Sequence, residues 1–139
     1  LDGIEASADV TDATNVASAG ALMKSGGTMT GSAHGSTDTD TSNTGSVTLN
    51  FTTNQNFVLT LTGNVTLANP TTETVGQSGF ITFIQDGTGS RTVALGTDYE
   101  TAGGSGLTLT STASATDIVP YVVVASGRIL LGTPQLAFA

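Results

Sequence analysis

The sequence predicts an all-β protein: an antiparallel β-sandwich of jelly-roll-like type, preceded by an extended or weakly helical N-terminal segment. Three observations predict it. From residue 46 onward, apolar and polar residues alternate with period two, the spacing that puts one apolar face on a strand. Eight or nine such short runs are separated by Gly, Asn, Asp and Pro at near-regular intervals, as in sandwiches. Charged residues make up only 10% of the chain, against about 25% in ordinary domains. Thr, Ser, Asn and Gly take their place, and these suit pleated surfaces and turns.

The runs follow in order. Val47, Leu49 and Phe51 alternate with polar residues, so a strand is expected at 47–52. Asn54, Gln55 and Asn56 supply a turn into Phe57, Leu59 and Leu61, and Gly63 with Asn64 turns the chain into Val65 and Leu67. Three strands in such close succession predict a meander of hairpins. Residues 80–85, Phe-Ile-Thr-Phe-Ile-Gln, are apolar on both faces, which predicts a central strand covered on both sides. Asp86, Gly87, Thr88 and Gly89 predict a hairpin turn into residues 91–95. A Gly-rich loop at 103–106 precedes a short run at 107–109, then strands at 118–124 and 129–131 flank a Ser126-Gly127 turn, and a last one surrounds Leu136 and Phe138. Pro120 has no N–H to donate, so it marks a bulge or an edge.

The first third lacks this period. Residues 12–23 allow a short Ala-rich helix capped by Asp12 or Thr14, with Val16, Ala19, Leu22 and Met23 on one side. Helices below about 12–15 residues are marginal in water. Such a segment needs neighbours, and Met23 and Met29 are adaptable side chains for contacting them. Residues 32–45 contain no large apolar side chain and predict a polar linker or exposed excursion. The organisation expected is therefore an assembly or docking segment at 1–31, a linker at 32–45 and a β-sandwich domain at 46–139.

Two segments carry a family likeness. Lys24-Ser25-Gly26-Gly27-Thr28-Met29-Thr30-Gly31 resembles the Lys-Ser/Thr-Gly-Gly-x-Met-Thr-Gly motif of tail-fibre and appendage proteins of tailed bacteriophages. The leucine-led run at 1–12 resembles a second signature that precedes that motif. The C-terminal block is similar to a domain of marine phage structural proteins at residues 59–67, at 85–91 (Gln-Asp-Gly-Thr-Gly-Ser-Arg) and in its closing Val-rich strand. The resemblance implies a virion appendage domain, found as a homotrimer and located on the virion or otherwise extracellular.

Composition narrows the function classes. Three Lys and Arg against eleven Asp and Glu give a net charge of −8, which argues against nucleic acid as a partner, since phosphates need several cations. Without Cys there is no disulfide, thiolate metal site or cysteine nucleophile. No apolar run approaches the roughly 18–20 residues of a membrane-spanning helix. The first residues show neither a basic region nor an apolar core, so no signal peptide is expected there. A chain opening at Leu1 without an initiator Met is expected to be processed or part of something longer.

Candidate chemistry is sparse. His34 is the single histidine; three copies would have to meet on a trimer axis to hold an ion, and a solvated loop histidine is the plainer reading. Asp38 and Asp40 have Asn43 and Leu49 where a calcium loop needs Gly and Glu, which favours a solvated acidic stretch. Asp98 and Glu100 flank Tyr99 and form the closest acidic pair of the β-domain. Two carboxylates about 5–9 Å apart would suit glycoside hydrolysis, but five Phe, two Tyr and no Trp are poor material for a saccharide groove. Gly103, Gly104 and Gly106 lack the Lys-Ser/Thr pair and helix of a phosphate loop. Arg91 and Arg128 are the two cations of the β-domain, each expected to pair with a carboxylate within or between subunits, with Asp86 a partner for Arg91 across its hairpin.

The expected function is that of a non-enzymatic virion structural protein, a subunit of a trimeric fibre or appendage associated with other virion proteins, with no cofactor and no metal. Leu22, Met23, Met29, Arg91 and Arg128 are its candidate assembly residues. Two alternatives stand beside it: a fibre head recognising host surface glycan through loops 86–90 and 101–106, and a bacterial extracellular filament or adhesin subunit.

Overall fold

The computed structural model describes residues 31–139. The chain divides into two compact units, Leu1–His34 and Gly35–Ala139. All described strands belong to the second: β1 (Thr37–Val47), β2 (Asn56–Leu67), β3 (Ser78–Gln85), β4 (Val93–Leu95), β5 (Tyr99–Thr101), β6 (Thr116–Ala125), β7 (Arg128–Leu131) and β8 (Gln135–Phe138). A single turn of 3-10 helix at Ala102–Gly104 follows β5. The fold is all-β, as the alternation predicts. The helical reading of 12–23 lies outside the described residues.

The strands form one forked sheet in the order β1-β2-β3-β6-β7-β5, with β4 also on β2 and β8 also on β6. The antiparallel pairing expected from the sequence is corrected to a mixed one. Strand β2 runs parallel to β1, β3 and β4, and β5 runs parallel to β7. Antiparallel pairs join β6 to β3, β7 and β8. Parallel neighbours need a crossover between them, and here loops rather than helices provide it. The loop returning the chain from β1 to β2 carries Leu49 and Phe51 into the core, so the alternation expected at 47–52 begins at the last residue of β1 and otherwise belongs to this crossover.

Four further expectations change for identifiable reasons. The polar stretch assigned to a linker contains β1, whose strand has almost no apolar side chain to announce it. Its β-branched Thr residues suit a pleated edge, and Asn43, 2% exposed, sits between two register shifts. The Asn43 amide fills the gap in the ladder by donating to the carbonyls of Asp40 and Thr60, both at 3.1 Å. Gly63-Asn64 is not a turn, because β2 runs straight through it. A Cβ at Gly63 would collide with Thr44 of β1, so glycine there permits close strand approach. Finally, the turn at 86–90 does not make a hairpin, since β3 and β4 do not pair with each other, and 107–109 packs its Leu residues against the core without forming a strand.

The inward positions lie in one core: Phe57, Leu59, Leu61, Val65 and Leu67 of β2, Ile81 and Phe83 of β3, Val119, Tyr121 and Val123 of β6, and Ile129 and Leu131 of β7. Strands from both arms of the fork thus enclose a common interior, as in a sandwich. Phe51, Phe57 and Tyr121 meet there, with Phe51 5.0 Å from Phe57 and edge-on to Tyr121 at 5.3 Å, a favoured aromatic geometry. Burial raises the Tyr121 phenol to about 12, and its hydroxyl donates to the Gln55 carbonyl at 2.6 Å. Pro120 sits inside β6, neither at a bulge nor on an outer strand. Its carbonyl accepts from the Gly132 N–H, so its nitrogen points the same way, away from β3. On that side β8 pairs with β6 as far as Ile118 and β7 from Tyr121 onward. The missing donor falls in the gap between them.

Candidate functional site

Both β-domain arginines are engaged within the chain. Arg91 Nη2 lies 2.8 Å from Asp86 Oδ2, with Arg91 Nε 3.2 Å from the same oxygen. Asp86 Oδ1 also accepts the backbone N–H groups of Thr88 and Gly89, at 3.0 and 2.8 Å. The guanidinium first, and the Gly89 N–H next, hold the Asp86 carboxyl down at about 2. Gln85, 3% exposed, locks the same loop from inside: its Oε1 accepts the Arg91 N–H and its Nε2 donates to the Arg91 carbonyl, both at 2.9 Å. Loop 86–90 is therefore fastened to itself by its own polar groups.

Arg128 makes a two-pronged pair with Glu100, Nε to Oε1 at 2.7 Å and Nη2 to Oε2 at 2.9 Å, tying β7 to β5 on the surface. That pair bears on the role open to Glu100. A general acid in glycoside hydrolysis needs a raised pKa, and the hydrogen bond from Arg128 lowers that of Glu100. Asp98 lies just before β5, where its N–H donates to Asn69 Oδ1 at 3.0 Å. Glu100 is thus held as the anionic partner of Arg128.

The remaining candidates lie apart. His34 and Asp38 are separated along an extended segment, His34 exposed and Asp38 on β1. Asp40 Oδ1 accepts the Ser42 N–H at 3.0 Å, a local turn contact. No group of three or more His, Cys, Asp or Glu gathers among the described residues. The Gly-rich loop closes on itself, with the Gly106 N–H donating to Thr101 Oγ1 at 2.9 Å. Beside it, grooves of about 270 and 470 Å³ are lined mainly by Thr, Gly and Leu, and the one aromatic in them, Tyr99, is 5% exposed. Leu22, Met23 and Met29 lie outside the described residues.

Two polar features escaped the sequence reading. Asp117 is 1% exposed and faces inward in register with Val119 and Tyr121. Its carboxyl accepts from the Thr110 N–H at 2.6 Å, the Thr110 hydroxyl at 2.8 Å and the Ala137 N–H at 2.9 Å. The signal was present as an Asp in phase with the apolar face. Near β5, Glu73 Oε1 accepts the Gly127 N–H at 3.0 Å. Glu73 Oε2 and the Tyr99 hydroxyl are buried without a partner, and burial, then Asp98 and Glu73, raise the Tyr99 phenol.

The outward side of the sheet's centre is the feature that stands out. Strand β3, expected to be covered on both sides, is covered on one. Its outward residues Phe80, Thr82 and Ile84 stand opposite Pro120, Ile118 and Thr116 of β6. Val122 lies opposite Leu130 of β7, and Thr116 opposite Phe138 of β8. Phe80 is 51% exposed, Phe138 46%, Val124 40% and Val122 38%. No charged side chain occurs among these positions. A sheet face open to water is normally polar; this one is apolar.

A protein-family model described as "Putative phage tail fibre C-terminal domain" matches residues 39–128, from the third residue of β1 to the first of β7. No curated protein and no solved structure matches the chain.

Proposed function

The chain belongs to the phage tail-fibre C-terminal domain family, and from that membership we propose that it is a non-enzymatic structural subunit of the fibre that acts by self-assembly into a homotrimer. As a tail-fibre protein it is a virion component. The observation that carries the reading is what its groups leave unfinished. Its polar side chains are largely spent on one another: Arg91 on Asp86, Arg128 on Glu100, Asp117 on Thr110 and Ala137. Several large apolar side chains, among them Phe80, Phe138, Val122 and Val124, are left exposed. Unfinished apolar surface supports association rather than catalysis, at about 25 cal/mol for each Å² removed from water.

In this proposal the N-terminal segment contributes Leu22, Met23 and Met29 to contacts between copies or with other virion proteins. Arg91 and Arg128, already neutralised inside the chain, would meet neighbours through their guanidinium faces. Recognition of host glycan is not part of the proposal, because loops 86–90 and 101–106 contain no aromatic side chain on which a sugar would stack. The test is the mass of the purified chain by light scattering across a concentration series, paired with antibody labelling of purified particles. A trimer mass and labelled tails are expected; a monodisperse monomer at high concentration would sink the homotrimer, and unlabelled particles would sink the structural role.

A further inference from the structure

We infer that the outward face of β3, β6 and β8 is the surface on which a second copy of this chain packs, with Phe80 and Val122 near its centre. The inference rests on the self-assembly proposed above and specifies where it occurs. The strands involved already have hydrogen-bonded neighbours: β3 lies between β2 and β6, while β6 lies between β3 and the β7 and β8 pair. What is missing is cover for side chains and not a partner for the backbone. Face-to-face packing supplies that cover, whereas adding a strand to an edge does not.

The composition of the face selects the occupant. The described residues carry Asp38, Asp40, Glu73, Asp86, Asp98, Glu100 and Asp117 against Arg91 and Arg128, so a second copy arrives with the same negative excess. Phe80, Thr82, Ile84, Ile118, Pro120, Val122 and Val124 present no charge to repel it. The charges beside it on β7 and β5, Arg128 and Glu100, already pair with each other, which leaves a strongly basic or acidic partner little to pair with. Outward positions elsewhere are different in kind: along β1 they include Thr37, Thr39 and Ser46, along β2 Asn56, Thr60 and Thr62, and along β7 and β5 the paired Arg128 and Glu100.

The size also fits. Two Phe side chains about half exposed, of a type that covers about 150–250 Å² each, present on the order of 200 Å², and the neighbouring Val residues enlarge this. The total reaches the range of roughly 300–600 Å² that marks interaction patches on monomers. It is also a substantial part of the apolar half of a standard interface, which covers about 800 Å² per partner.

The test uses the full chain. Phe80→Glu and Val122→Glu place charge on the face at positions that point away from the core, while Val75→Glu, at a residue 62% exposed in the loop before β3, serves as the control. Sedimentation equilibrium should show the wild type and Val75→Glu as the same oligomer. Each face variant should associate at least about 30-fold more weakly, the loss expected of an interface hot spot. A nearly isosteric probe removes any doubt about folding. The chain has no Cys, so Val122→Cys and Val75→Cys carry single thiols; the first should react with a thiol reagent at least about tenfold more slowly in the oligomer, and both alike after dilution to monomer. A wild-type oligomer whose mass survives both Glu variants, or whose Val122→Cys thiol reacts as fast as Val75→Cys, overturns the location and leaves self-assembly standing. A wild-type monomer overturns both.

Discussion

Replacing Asp117 by Ala should be among the most damaging single changes in the β-domain. The carboxyl ties three elements together: β6, which carries it, the loop before β6 through Thr110, and β8 through Ala137. Truncation leaves the N–H groups of Thr110 and Ala137 without their acceptor in a site where Asp117 is 1% exposed. Thr110 is half-buried, so its unsatisfied N–H costs about 1–3 kcal/mol, whereas Ala137 is exposed and its N–H regains a bond to water; with the lost hydroxyl bond the total is about 2–4 kcal/mol, large against a typical total of about 5–15. Asp117→Asn should cost about 2 kcal/mol, since it keeps one acceptor oxygen but turns an amide N–H toward a donor. Thr110→Val removes the hydroxyl bond alone and should cost about 1 kcal/mol. In the Asp117→Ala background that cost should vanish, a coupling of about 1 kcal/mol. Urea unfolding at fixed protomer concentration measures all four, and hydrogen exchange at the Ala137 amide reports release of β8. A stability within about 1 kcal/mol of wild type for Asp117→Ala, or unchanged exchange at Ala137, would refute the reasoning.

Other consequences are as definite. Because Asp86 is held at about 2, below the unfolded value of about 3.9, its contribution to stability is fully present above pH ~4 and is lost as pH falls through about 2. Acid titration of unfolding should show this limb, Asp86→Asn should flatten it, and high salt should weaken it because the pair faces solvent. At Gly89, φ is +75° and an added Cβ would meet the Ser111 oxygen at 2.5 Å and the Ala113 nitrogen at 2.7 Å. Gly89→Ala should therefore cost about 2–4 kcal/mol in a denaturant titration. Ala137 adopts φ +63°, where a Cβ is unfavourable, so Ala137→Gly should raise stability by about 0.5 kcal/mol after the entropy of the added glycine, read as a small rise in melting temperature.

The inner face of the sheet was legible residue by residue. Phe57, Leu59, Leu61, Val65 and Leu67 keep one parity through the whole of β2, and Val119, Tyr121 and Val123 do the same in β6, because side chains on a strand alternate regardless of its partner. Strand β1 was not legible, since its one buried side chain, Asn43, is polar and acts through hydrogen bonds to β2. Gly63 was read as a turn because glycine permits both a turn and a close approach, and only the presence of Thr44 decides between them. For the candidate site, the Arg91–Asp86 contact was visible as two residues across a Gly-rich loop. The fork from Arg128 onto Glu100 was not, because residues 28 positions apart in sequence become neighbours only when β5 pairs with β7.

By itself the sequence determined the all-β class, the apolar parity of the major strands and, through the match over residues 39–128, the phage tail-fibre family. These are local properties: a period, a composition and a run of residues survive without knowledge of what lies opposite. Tertiary structure alone decided that β2 runs parallel to three neighbours, that both β-domain arginines are satisfied within the chain, and that β3 is covered on one face and open at Phe80 on the other. Pairing direction and surface exposure depend on which distant segments meet. An apolar residue has the same letter whether its own chain or another copy is meant to cover it.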